Sequence, residues 1–100
     1  MKSPLTDLNI SSMAEYAFEG LNPTVKGIID EASSTIKLSA PEGTDLTNLV
    51  ASFTYIGKSV QVRETAQYSG ITANNFNEIV KYVITAHDGS TTGYTVLVNK

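Results

Sequence analysis

The chain has 100 residues, a net charge of −3, 41% hydrophobic residues and no cysteine. A chain of this length folds as one domain and buries about 60–65% of its unfolded surface without disulfides or a metal. The charge argues against nucleic acid, which needs a clustered basic surface, and the absence of cysteine excludes thiol chemistry.

The N-terminal segment, residues 1–12, is polar, contains one proline and has no long apolar run. It therefore lacks the apolar core of a signal peptide, and no apolar stretch of the chain is long enough to span a membrane. We expect residues 1–12 to be a tail or interdomain linker and residues 13–100 to be the folded domain. An export signal, if the parent protein has one, lies outside this chain.

Alternation of apolar and polar residues predicts β-strands along the rest of the chain. In the first half the predicted strands are Met13–Phe18, Val25–Asp30, Thr35–Ala40 and Val50–Tyr55. The second and third of these form a predicted hairpin. A dense turn signal follows, and Thr44 or Asp45 is placed to cap a single helical turn over Leu46–Leu49.

The second half contains three further predicted strands and one long polar loop. The strands are Ser59–Arg63, Ile79–His87 and Gly93–Asn99. The loop, Glu64–Asn77, contains a predicted short pairing near Gln67–Tyr68, and Asp88-Gly89 marks the turn of a final hairpin. About seven short strands without a long helix predict an all-β, immunoglobulin-like, two-sheet β-sandwich.

Tyr82 occupies a distinctive place in the sixth predicted strand. It lies near the strand start with Ile84 two residues on, which are the positions of the tyrosine corner and the second core cysteine in antibody domains. Two interpretations stay open. Either the hydroxyl hydrogen-bonds to backbone near Asn75–Asn77, or Tyr82 simply fills the core.

Four stretches carry a resemblance to a known group of proteins: Met13-x-x-Tyr16-x-Phe18, GLNPTVKGIID (20–30), TIKLSAPEGTDLTNLVASF (35–53) and VKYVITAHDGSTTGYTVLV (80–98). From residue 13 onwards the chain resembles the tandem immunoglobulin-like domains of Bacteroidetes surface lipoproteins and adhesin-like proteins, most of which have no assigned function. The resemblance implies a sandwich architecture and an extracellular or outer-membrane-surface location. It carries over no catalytic or binding residue, because the matching positions are turns and core.

The sequence gives little support for a catalytic site or a metal site. His87 is the only histidine; it lies beside Asp88, with Ser90 on the same turn, and a catalytic histidine must instead lie between its two partners in space. We therefore predict no enzyme and no catalytic, cofactor or metal residues. One histidine cannot form a zinc site. Calcium at a junction with a neighbouring module, through Glu42, Asp45 or Asp88, is left open, with turn formation the favoured role.

Glycan binding generally uses exposed aromatic faces, and this chain has no tryptophan. Alternation assigns six aromatic residues to the core: Tyr16, Phe18, Phe53, Tyr55, Tyr82 and Tyr94. The sugar platform that remains is formed by Gln67, Tyr68, Asn74 and Asn75. In the favoured alternative, Phe76 plugs the end of the sandwich and Tyr68 covers an edge.

The predicted function is a non-catalytic structural or spacer module of a larger secreted or surface protein. Seven antiparallel strands make the first and last run the same way, so the termini are expected at opposite poles. The alternative is a glycan- or protein-binding module that uses residues 64–77. The expected partners are neighbouring domains of the parent chain, a polysaccharide or a surface protein, and the isolated domain is expected to be monomeric.

Overall fold

The computed structural model describes residues 10–21 and 23–99. Within them the chain forms short β-strands and no helix. The strands are β1 (Ser12–Phe18), β2 (Val25–Lys26), β3 (Ile28–Asp30), β4 (Thr35–Ser39), β5 (Leu49–Val50), β6 (Ser52–Ile56), β7 (Ser59–Val62), β8 (Thr65–Ala66), β9 (Ala73–Asn74), β10 (Val80–Thr85) and β11 (Thr91–Asn99). The all-β prediction is confirmed, with each predicted strand present and two of them split. Residues 1–9 of the predicted tail lie outside the described residues.

The strands form two main sheets, as predicted for a sandwich. One sheet has the order β2-β1-β6 and the other the order β3-β4-β11-β10-β7-β8, while β5 and β9 form a small separate pair. The architecture is consistent with the immunoglobulin-like class. The expectation of purely antiparallel strands is wrong at one place, because β4 pairs with β11 in parallel. There, the β3–β4 hairpin docks its second strand on the last strand of the chain.

An aromatic cluster fills the space between the sheets. The ring centroids of Tyr16 and Tyr82 are 5.2 Å apart, those of Phe53 and Tyr82 are 5.5 Å apart, and all of these rings are buried. Edge-to-face contacts of this kind add to the stabilisation from burial alone. The alternation that predicted the core fails in part at Tyr55, which is 36% exposed because it lies next to the end of β6, at the rim of the sandwich.

Gly27 marks the place where one extended segment changes sheets. Before it, β2 pairs with β1; after it, β3 pairs with β4 in the other sheet. The Gly27 N–H donates to the Tyr16 carbonyl over 2.7 Å. A Cβ at this position would lie 2.8 Å from Cγ2 of Ile36. Only glycine allows so close an approach of the backbone to the core.

The two described ends of the chain lie at opposite poles of the sandwich. Ser11 Oγ is 2.7 Å from Thr92 Oγ1, at the start of β11. At the other end of the same strand, the Ala40 N–H donates to the Asn99 carbonyl over 2.7 Å. At about 3.4 Å per residue, these two points are separated by about 24 Å. The predicted placement of the ends is confirmed, and we call them the N-terminal pole and the C-terminal pole.

The β7–β8 turn has an unusual sequence for its backbone. Val62 pairs with Thr65, so Arg63 and Glu64 form a two-residue hairpin turn, with φ angles of 50° and 67°. This is type I′ geometry, which normally takes asparagine and glycine. Arg63 is anchored by Glu78, with Nη1 2.8 Å from Oε1.

Replacing Glu64 with glycine should therefore stabilise the domain by about 0.5–1 kcal/mol, since glycine adopts a positive φ at no steric cost. The gain is reduced by the larger backbone entropy of glycine in the unfolded chain. Urea unfolding measures it. Glu19→Gly is the matched control, because Glu19 is also exposed but lies outside the left-handed region, and it should give no gain. Equal effects of the two variants would contradict this account of the turn.

Candidate functional site

The predicted binding loop is a segment that crosses between the two sheets and seals one side of the sandwich. It leaves the six-stranded sheet at Gln67, whose N–H donates to the Val60 carbonyl over 2.9 Å. It reaches the other sheet at Gly70, whose N–H donates to the Ala51 carbonyl, also over 2.9 Å. We call residues 67–77 the crossing segment. The pairing predicted near Gln67–Tyr68 lies two residues earlier, in β8.

The far end of the crossing segment closes the C-terminal pole. β9 pairs with β5, and the Phe76 N–H donates to the Leu46 carbonyl over 2.7 Å. The Phe76 ring is buried against Phe18, with centroids 5.1 Å apart. Phe76 is thus the plug that the favoured alternative predicted.

Gln67 and Asn74, two of the four residues of the predicted sugar platform, serve the core instead. Gln67 is only 5% exposed. Its Oε1 accepts a hydrogen bond from Asn74 Nδ2 over 2.8 Å, and its Nε2 donates to the Thr65 carbonyl over 3.2 Å. These bonds satisfy the buried amide, as burial of a polar group requires. The side chain of Gln67 is therefore occupied within the fold.

The same network reaches the paired tyrosines of the core. The Tyr82 hydroxyl accepts hydrogen bonds from the Tyr16 hydroxyl over 3.0 Å and from Asn74 Nδ2 over 3.4 Å. The tyrosine-corner prediction is wrong about the partner: side chains, not the backbone of residues 75–77, hold this hydroxyl, while the ring also fills the core. Burial raises the pKa of both tyrosines, and the neighbouring Tyr82 raises the pKa of Tyr16 further. Both hydroxyls are consequently neutral in the folded domain.

Tyr68, by contrast, is 61% exposed and begins a compact turn. The Tyr68 carbonyl accepts hydrogen bonds from the N–H groups of Ile71 and Thr72, and Thr72 Oγ1 accepts from the Tyr68 N–H. Gly70, the third residue of this turn, has a φ of 74°, as a type II turn requires. Asn75, the last residue of the predicted platform, is half-buried and accepts a hydrogen bond from the Asn77 N–H. The turn presents Tyr68 and Ile71 to solvent on a fixed backbone.

An open groove of about 770 Å³ lies beside this turn, along the three-stranded sheet. Ser69 and Gly70 form part of its wall. Its lining includes the charged side chains of Glu15, Glu19 and Lys26. Hydroxyl and carboxylate groups beside an exposed ring are the combination that a sugar chain can use, through hydrogen bonds and stacking on the ring.

The remaining sequence candidates lie in turns at the two poles. Asp88 accepts hydrogen bonds from the Ser90 backbone N–H and hydroxyl, which lower the pKa of its carboxyl group. His87 is exposed on the same turn, at the N-terminal pole. Asp45 accepts a hydrogen bond from the Thr47 N–H over 2.9 Å at the opposite pole, where the predicted helical turn is replaced by this side-chain turn. Asp45 and Asp88 therefore cannot share one ion.

Residues 10–21 and 23–99 contain neither a metal-binding cluster nor a membrane-spanning helix. No group of three or more histidine or acidic side chains in this part of the chain is arranged to hold a metal ion. None of the described residues forms a helix long and apolar enough to cross a membrane.

Comparison with known proteins adds a family and two similar folds. The family model described as "SGBP, N-terminal" matches residues 15–98. A crystal structure from Bacteroides thetaiotaomicron, provisionally named a glycoside hydrolase, matches with a TM-score of 0.68 and 23% identity, covering 100% of this chain and 27% of that one. A provisionally named secreted protein from Bacteroides fragilis matches with a TM-score of 0.62 and 14% identity, covering 92% of this chain and 96% of that one. No curated protein matches.

The structural matches have low sequence identity and therefore establish the fold alone. This chain spans only about a quarter of the first of them, so the same fold occurs there as one part of a longer protein. The family model, in contrast, covers most of the chain and includes both main sheets. The chain therefore belongs to the SGBP N-terminal family, a family of domains from Bacteroidetes surface glycan-binding proteins.

Proposed function

We propose that this domain is a non-catalytic spacer module that holds the rest of a surface glycan-binding protein away from its point of attachment. The observation that carries the proposal is the separation of the chain ends along β11. A module whose chain enters at one pole and leaves at the other adds its full length when modules are joined in series. Its location on the cell surface or outside the cell accords with the family.

The hydrogen bonds made by the predicted ligand-binding side chains support a structural role. The most conspicuous polar side chains of the predicted platform, Gln67 and Asn74, are engaged in the core network. The carboxylates of Asp45 and Asp88 are engaged in local turns. These groups maintain the shape of the module, which is what a spacer requires.

The test is an amide NMR titration of the isotope-labelled 100-residue chain with plant and host polysaccharides, and separately with calcium. A spacer should give a well-dispersed spectrum in which no resonance moves on addition of any of them. Shifts clustered on the crossing segment with one polysaccharide would overturn the spacer proposal.

A second candidate, glycan binding, is favoured by one specific observation: Ser69 and Gly70, which follow the exposed Tyr68 in its turn, line the groove. In this case a sugar ring would stack on Tyr68 while the groove residues Glu15 and Lys26 hydrogen-bond its hydroxyl groups. Contacts between two aromatic rings contribute about 0.5–1.5 kcal/mol, and we expect a similar gain for a sugar ring on Tyr68.

Tyr68→Ala separates the two functions. If the domain binds glycan, the variant should weaken binding by about twofold to twelvefold, which corresponds to the stacking energy. Ile79→Ala is the matched control, because Ile79 is 77% exposed but, unlike Tyr68, is not next in sequence to any residue that lines the groove. A glycan that binds both variants as tightly as the unmodified chain would exclude Tyr68 as the platform.

A further inference from the structure

One row of side chains crosses β3, β4 and β11 and ends at the residue before β10, on the outer face of the six-stranded sheet. Ile28 pairs with Lys37, and Lys37 pairs with Leu97. Val80 pairs with Val96, so the register places the preceding residue, Ile79, beside Leu97. We call Ile28, Lys37, Leu97 and Ile79 the outer row.

The outer row is apolar except at Lys37, whereas the adjacent row on the same face is polar. Ile28, Leu97 and Ile79 are 71%, 42% and 77% exposed. The adjacent row on the same face consists of polar residues: Asp30, Thr35, Thr95 and Lys81. Single exposed apolar residues need no explanation, but aligned ones with a polar surround indicate a contact surface.

The position of the outer row indicates which partner would cover it. Leu97 lies two residues before Asn99, at the C-terminal pole, where the polypeptide leaves the sandwich. The family is one of N-terminal domains, and the same fold makes up only 27% of the similar Bacteroides thetaiotaomicron chain. A module that follows in the parent protein would therefore begin close to this surface.

Charge argues against a second copy of the chain as the occupant. A two-fold interface brings the same patch of both copies together. Lys37 lies between Ile28 and Leu97 in the row, so a two-fold axis passing near Lys37 would bring two ammonium groups close together. Like charges across an interface oppose association.

We propose that the outer row is the docking surface for the following module of the parent protein, which presents an apolar patch with a carboxylate opposite Lys37. The Arg63–Glu78 ion pair, adjacent to Ile79, lies at the rim of this contact. The junction is then a packed interface that fixes the angle between modules. The inference rests on the chain being one module of a longer protein and not on its spacer role.

Hydroxyl-radical footprinting of the full parent protein and of the 100-residue chain tests the proposal. Side-chain oxidation of Ile28, Leu97 and Ile79 should be several-fold slower in the parent protein. Ile71, which is 73% exposed on the crossing segment, is the internal control and should oxidise equally in both. Equal oxidation of the outer row in both proteins would overturn the proposal. Concentration-dependent protection in the 100-residue chain would do so too, by identifying a second copy as the occupant.

A charge reversal gives an independent readout. Lys37→Glu in the parent protein should broaden the distribution of interdomain distances seen by small-angle X-ray scattering. Lys81→Glu is the matched control, one row away on the same face, and should leave the distribution unchanged. Identical scattering from both variants and the unmodified protein would count against the interface. The NMR titration with glycans is a separate measurement, so either proposal can fail alone.

Discussion

Replacement of Phe18 with alanine is expected to destabilise the domain by about 3–5 kcal/mol, the usual cost of removing a fully buried phenylalanine. Phe18 is 0% exposed, and its ring meets those of Tyr16 and Phe76 at 5.9 and 5.1 Å. Its removal leaves a cavity beneath the end of the crossing segment. Because small domains are stable by only about 5–15 kcal/mol, one such change removes a large part of the total.

Urea unfolding followed by circular dichroism measures this loss. Tyr68→Ala is the matched control, since it removes an aromatic ring that is 61% exposed, and it should stay within about 0.5 kcal/mol of the unmodified chain. A cost for Phe18→Ala no larger than that of the control would mean that Phe18 does not anchor the pole.

The tyrosine pair should show an unequal response to loss of each hydroxyl. Tyr82→Phe removes an acceptor shared by Tyr16 and Asn74, and leaves the buried Tyr16 donor without this partner. We expect a cost of about 1–3 kcal/mol, the penalty for an unsatisfied buried polar group. Tyr16→Phe leaves Tyr82 bonded to Asn74 and should cost only about 0.5–1.5 kcal/mol.

The double variant completes the cycle. Because Tyr16→Phe removes the very donor that Tyr82→Phe leaves unpaired, the cost of the double variant should be smaller than the sum of the two single costs. Chemical denaturation of the four proteins under identical conditions provides the comparison. If Tyr16→Phe proved the costlier single change, the direction of the hydrogen bond between the hydroxyls would have to be reversed.

The strands could be predicted because their information is local. In β10, Val80, Tyr82 and Ile84 are buried at every second position, and this period is visible in the sequence itself. The prediction that Tyr55 lies in the core failed in part, because the alternation of apolar and polar residues does not show where the sandwich ends.

The crossing segment could not be predicted because its order comes from distant partners. Ser69 Oγ accepts a hydrogen bond from the Phe53 N–H, and Gly70 bonds to Ala51, both far away in the chain. Neither hydrogen bond produces a periodic pattern in the amino-acid sequence. Glutamine at position 67 looks like an exposed polar residue until Asn74 is brought beside it by folding.

The prediction for the turn after residue 44 was correct about the role of Asp45 and wrong about the helical turn. The ability of Asp45 to accept a backbone hydrogen bond was anticipated, and it does bond the Thr47 N–H. The helical turn did not follow because an aspartate can satisfy an N–H two residues on without any helix.

The pairing of β11 has a mechanical consequence for a spacer module, which would be pulled from its two poles. The first part of β11, Thr91–Val96, is paired with β10, and the last part, Thr95–Asn99, is paired with β4. Tension between the poles pulls along these strands, so their hydrogen bonds share the load in shear instead of opening one by one. We therefore expect a spacer joined at its two poles to resist unfolding under tension.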